Sequence, residues 1–170
     1  MVFHRVVWSF LLVCWVVAGC ATPGAHPPLT QDEQSLYRIY SHIMTHDQIH
    51  TYRTFSTAEA RARAAREVGA AQELASLPAQ EQASVRQGFA FVGMSRKAVR
   101  LLWGMPCREK GPPVDERWCY YGDALSLSGV GRHCTPTHTV TQVVFAHDKL
   151  QGWRERPVER SDFRLVLPTC

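Results

Sequence analysis
The apolar positions of this chain change their spacing from one end to the other. The first run, Val6 to Ala18, is continuous apart from Ser9. It is short of the roughly 20 residues that cross a bilayer and follows a short basic start, His4-Arg5, so residues 1–19 are predicted to be a signal peptide. "ATPGAHPPL", Ala21 to Leu29, then breaks the pattern with prolines and a glycine. Neither a helix interior nor a central strand admits such a stretch, and residues 20–29 read as a tether.

Helical spacing follows. "TQDE" at Thr30 to Glu33 has the form of a capping box, and Leu36, Ile39, Tyr40, Ile43 and Met44 recur on one stripe. A helix is predicted from there to near His50. "STAE" at Ser56 to Glu59 predicts a second start, with Val68, Ala71, Leu74 and Ala75 inward. Pro78 marks a break or the first turn of a third helix ending near Gly88. Residues 30–88 thus form a helical region.

From Arg117 the pattern becomes aromatic and β-branched. "RWCYY", "HTVTQVVF" and the alternating "DFRLVLP" favour strands. Helices first and strands after predict an α+β fold. No internal repeat is present.

Between the two regimes lies "FVGMSRKAVRLLWGMP", Phe91 to Pro106. Ser95 can cap a helix starting at Arg96, Gly104 suits a left-handed stop, and Pro106 prevents a restart. The helix is about two turns long and must be held by tertiary packing. Ala98, Leu101 and Leu102 line its inner side, with Met94 and Met105 at the ends; Arg96, Lys97 and Arg100 point away.

Composition changes this picture little. Hydrophobic residues at 45% and charged residues at 20% suit one globular unit. Nineteen Lys and Arg against fifteen Asp and Glu give +4, and removal of residues 1–19 takes away only Arg5, leaving +3. That is too weak and mixed for nucleic-acid binding, and compatible with an anionic lipid surface.

Val17-Ala18-Gly19-Cys20 resembles a bacterial lipobox: an apolar residue, two small ones, then the cysteine that receives lipid. Each buried methylene contributes ~0.8 kcal/mol, so several acyl chains at Cys20 anchor the protein durably. Plain cleavage near Ala18 or Ala21 is the competing reading. Four cysteines remain after Cys14 and Cys20: Cys107, Cys119, Cys134 and Cys170. An even number in an exported chain implies disulfides, and four allow three pairings. A hairpin turning at Gly111 to Asp115 would set Cys107 opposite Cys119, leaving Cys134 for Cys170. No CxxC spacing supports zinc bound by these cysteines with His133.

His42, His46 and His50 stand four apart and would share one helix edge, where adjacent pairs could grip a metal ion; an exposed polar edge is the plainer reading. "GDALSLSGVGRH", Gly122 to His133, matches neither a nucleophile elbow nor a phosphate loop and reads as a connection between strands. No catalytic residues, metal site or cofactor are expected.

Gly93-Met94-Ser95, Val99, Gly104 and Pro106 resemble the signature of the BamE/SmpA/OmlA family of outer-membrane lipoproteins, whose fold is related to the β-lactamase inhibitory proteins. Trp118-Cys119-Tyr120, Val143-Val144-Phe145 and Asp148-Lys149-Leu150 continue the similarity from Val92 to about Trp153. Residues 30–88, the extra cysteines and the tail from Arg154 depart from it. The resemblance implies a short helix on a three-stranded antiparallel sheet within residues 89–170. Trp118 and Tyr120 would face the helix, and Cys119 and Tyr121 the other way.

It further implies a lipid-anchored protein on the periplasmic face of the outer membrane of a Gram-negative bacterium, as does Ala21 after the lipid cysteine. Its role would be non-catalytic binding or scaffolding, supporting β-barrel protein assembly or envelope integrity, with a membrane or periplasmic protein as partner and neither nucleic acid nor small-molecule substrate. Arg96, Lys97, Arg100 and Tyr121 are the candidate partner-facing residues. The alternatives are an inhibitor or sensor lipoprotein binding an enzyme through its sheet, and a metal-binding envelope protein.

Overall fold
The computed structural model describes residues 28–112, 115–129 and 138–158. The signal and lipid segment, Cys134, Cys170 and "DFRLVLP" lie outside these residues.

Five helices come first: α1 (Gln31–Ser41), α2 (His46–Thr54), α3 (Ala58–Glu67), α4 (Ala70–Ala75) and α5 (Ala79–Gln87). Thr30 caps α1 in a complete capping box with Glu33, as the sequence predicts. The long first helix does not form. Thr45 and Gln48 make a second capping box, so α2 starts anew at His46. The next start is one residue later than predicted, because Thr57 rather than Ser56 accepts from the amide of Ala60. Gly69, at φ +77°, then separates α3 from α4. That turn leaves Val68 and Ala75 exposed while Leu74 is buried, so part of the predicted stripe is lost.

Helix α6 (Arg96–Trp103) leads into a four-stranded antiparallel meander, β1 (Arg108–Lys110), β2 (Asp115–Tyr121), β3 (Thr139–Ala146) and β4 (Lys149–Pro157), with the short α7 (Ala124–Leu127) between β2 and β3. The α+β class is as predicted, but the sheet has four strands rather than three. β4 escaped the sequence reading because "KLQGWRERP" is polar for an edge strand; only Leu150 is fully buried. A bulge between Val144 and Phe145 shifts its register.

Side chains alternate between the two faces of the sheet. Trp118, Tyr120, Val143, Phe145 and Leu150 face α6 and are buried, whereas Cys119 and Tyr121 lie on the outer face and are half-buried, as predicted. Five of the eight residues of α6 are buried, because the helix packs against α1 and α5 as well as against the sheet. Residues of both halves, among them Ile39, Tyr52, Val85, Leu102 and Trp118, therefore join one hydrophobic core.

Candidate functional site
The features that could meet a partner gather around α6. Ser95 caps the helix by accepting from the amide of Ala98 at 3.2 Å. Gly104 ends it at φ +80° and ψ −167°, a region essentially reserved for glycine but not the left-handed helical well that the sequence suggests. Met94 is fully buried, but Met105 is 61% exposed, because the chain has already turned away from the core.

The three cations of α6 point outward, as expected, with Lys97 exposed and Arg96 and Arg100 half-buried, but each meets a carboxylate of the fold. Arg96 reaches Asp148 at 2.7 Å and also Glu116. Its guanidinium is held above the ordinary arginine range, chiefly by the Asp148 hydrogen bond and also by Glu116, against the opposing cost of burial. Lys97 pairs with Glu73 at 2.7 Å, and Arg100 with Glu109 at 2.8 Å. Arg100 also lies over the Trp118 ring, 4.9 Å from its centroid, in a cation–π contact. The cations thus tie α6 to α4 and to the sheet. Such tertiary pairs leave no trace in local spacing.

An open cleft of about 530 Å³ runs beside α6, bordered by His42, Glu73, Arg96, Lys97 and Asp148. Its charges are largely matched, which argues against an anion site. In the core, Tyr120 is buried and its hydroxyl donates to the Gly104 carbonyl at 3.2 Å; burial pushes the phenol well above its ordinary range. The Trp103 ring meets Tyr120 edge-on at 6.0 Å. Tyr121 pairs in register with Val140 on the outer face and is half-buried.

The histidine edge is not formed. His42 falls in the C-cap of α1, packed against Gly104, while His46 and His50 lie on α2 beyond the break. Among the described residues no group of three His, Cys, Asp or Glu side chains is placed to hold a metal ion. The connection after β2 contains α7, where Asp123 Oδ1 accepts from the Ser126 amide at 2.8 Å.

The expected Cys107–Cys119 disulfide is absent. Cys107 is disulfide-bonded, but Cys119 is not, so the partner of Cys107 lies outside the described residues. Register explains the error. Cys119 faces Arg108, and the amide of Cys107 donates to the Cys119 carbonyl at 2.9 Å. Cys107 is thus one residue out of step, and a shift of one residue changes the face on which a side chain stands.

No family model, curated protein or solved structure matches the chain.

Proposed function
We propose that this is a lipid-anchored protein of the outer membrane of a Gram-negative bacterium, facing the periplasm, with a non-catalytic binding or scaffolding role in β-barrel protein assembly or envelope integrity. One observation carries the reading. The residues that resemble the BamE/SmpA/OmlA signature act together: Ser95 caps α6, Gly104 and Pro106 end it, and Trp118 and Tyr120 of the W-x-Y strand meet it in the core. The lipobox-like segment ending at Cys20 and the disulfide at Cys107 support an exported, anchored chain, since structural disulfides persist outside the reducing cytosol. Among the described residues, the helical region packs onto α6 through α1 and α5.

Two measurements test this reading. Cys20→Ala is expected to move the protein from the membrane to the soluble periplasmic fraction. Loss of the protein is expected to lower the amount of heat-modifiable, folded β-barrel protein in the outer membrane. Unchanged fractionation overturns the anchor, and unchanged barrel levels together with an intact permeability barrier overturn the assembly and envelope role.

A further inference from the structure
The outer face of the sheet gathers positive charge that no ion pair among the described residues neutralises. Register puts Arg108, Cys119, Gln142 and Arg154 in one cross-strand row, and Lys110, Arg117, Val144 and Gly152 in the next. Residues facing each other across antiparallel strands share a face, so Arg108, Lys110, Arg117 and Arg154 stand together on the side away from α6. Lys110 and Arg117 are direct cross-strand neighbours, a like-charge pairing that weakens a sheet. None of the ion pairs formed among the described residues includes any of these four cations. Arg154 donates instead to the neutral Gln142 Oε1, at 2.8 Å. The contrast with α6 is sharp, since each of its cations has a carboxylate.

This face also has relief. Nothing lies within 4 Å of the place where a Gly152 Cβ would sit. Gln142, Val144, Gly152 and Arg154 border a shallow groove of about 260 Å³ beside the β4 bulge. At the Tyr121 end the face is closed, with Val140 only 2% exposed. The open part is therefore an apolar dent flanked by cations of β1 and β2 on one side and β4 on the other.

We propose that the outer sheet face binds an acidic polypeptide segment. An apolar side chain sits in the dent over Gly152, and flanking carboxylates pair with Arg154 on one side and with Arg108 and Arg117 on the other. Charge complementarity selects an acidic partner. The dent selects a polypeptide, because a headgroup layer would meet the cations and leave the dent unused. The proposal deepens the binding role above by naming the partner's chemistry, and it rests on that role alone, independent of the anchor and of barrel assembly.

The test uses the full chain in neutral detergent micelles and the fluorescent probe peptide Glu-Asp-Glu-Leu-Glu-Asp-Glu, read by anisotropy. Binding is expected, at least tenfold tighter than to the peptide with lysine at every acidic position. Replacing the probe's leucine by serine is expected to weaken it several-fold. Arg117→Glu with Arg154→Glu should weaken it at least tenfold, and the milder Arg117→Gln at least threefold should the double variant fold poorly. Arg63→Glu, on the exposed side of α3, should change nothing. No binding of the probe, equal binding by wild type and Arg117→Gln, or binding to phosphatidylglycerol vesicles without binding to the peptide would overturn the proposal. Because the assay contains neither membrane targeting nor barrel substrate, its failure is separate from failure of the fractionation and barrel-level experiments.

Discussion

Glu81 accepts hydrogen bonds from both the amide and the hydroxyl of Ser95, at 2.8 and 2.5 Å. Glu81 belongs to the first turn of α5, and Ser95 is the cap of α6, so the helical half of the chain closes the start of the helix that carries the family-like signature. The Glu81 side chain is 5% exposed, and Lys149 stands 3.5 Å away. Glu81→Ala leaves the part-buried Ser95 amide without its acceptor, at a cost of about 1–3 kcal/mol. Glu81→Gln keeps an acceptor and should cost about half as much. Guanidinium unfolding of the two variants checks the order; equal losses would mean that the carboxylate charge, not hydrogen bonding, is what matters.

Gly104 and Gly93 both have positive φ, at +80° and +95°, but their surroundings differ. A Cβ at Gly104 would lie 2.6 Å from His42 Nδ1, whereas at Gly93 nothing lies within 4 Å. Gly93→Ala should cost about 1 kcal/mol from backbone strain alone, and Gly104→Ala about 2–3 kcal/mol because His42 must also move. Thermal unfolding that ranks them the other way would contradict this account of the α6 stop.

Glu33 and Arg61 form a buried pair, with Arg61 Nε donating to Glu33 Oε1 at 2.8 Å. The Glu33 carboxyl is held below its ordinary range, first by the Thr30 amide and then by Arg61, against the cost of burial. A carboxyl lowered on folding contributes stability above its unfolded value, and that contribution is lost as pH falls through the folded value. Wild type minus Glu33→Gln should therefore show a stability difference that is flat at neutral pH and shrinks on acidification below the usual carboxylate range. Arg61→Ala at pH 7 should cost about 3 kcal/mol by leaving the carboxylate unpaired. A pH-independent difference would remove the charged pair from the account.

Lys110→Glu should place opposite charges across β1 and β2 at the Arg117 register position. It is expected to stabilise the isolated protein by about 0.2–1 kcal/mol while weakening the acidic probe. Urea unfolding and anisotropy on the same variant check both signs, and loss of stability would show that the two cations are not in conflict.

Cys119 should react with iodoacetamide in the unreduced, denatured chain, and Cys107 only after reduction. A Cys107–Cys119 peptide pair in the unreduced digest would contradict the register described here.

Much of the fold was readable because local signals did the work. Thr30, Ser95, Gly88 and Gly104 punctuate helices through their own backbone chemistry, and the alternation of Trp118 and Tyr120 with Cys119 and Tyr121 gives the two faces of β2. Thr45 and Gln48 carried the same kind of signal, but the apolar stripe of Ile43 and Met44 ran across it. What was hidden is tertiary. Nothing near Arg96 in sequence announces Glu116 or Asp148, so α6 reads as an open basic face when it is a neutralised one. The reverse holds for Arg108, Lys110, Arg117 and Arg154. Their shared face follows from period-two alternation only once the one-residue hairpin register is known, and that same register decided the fate of Cys107.

Mild cross-linking in intact membranes, with a photoreactive residue at the exposed, uncharged Gln151 beside the groove, tests the proposed role most directly. Capture of a β-barrel assembly component through Gln151 and not through Arg63 is expected. Capture of no such component, or equal capture from both positions, would contradict the assembly role.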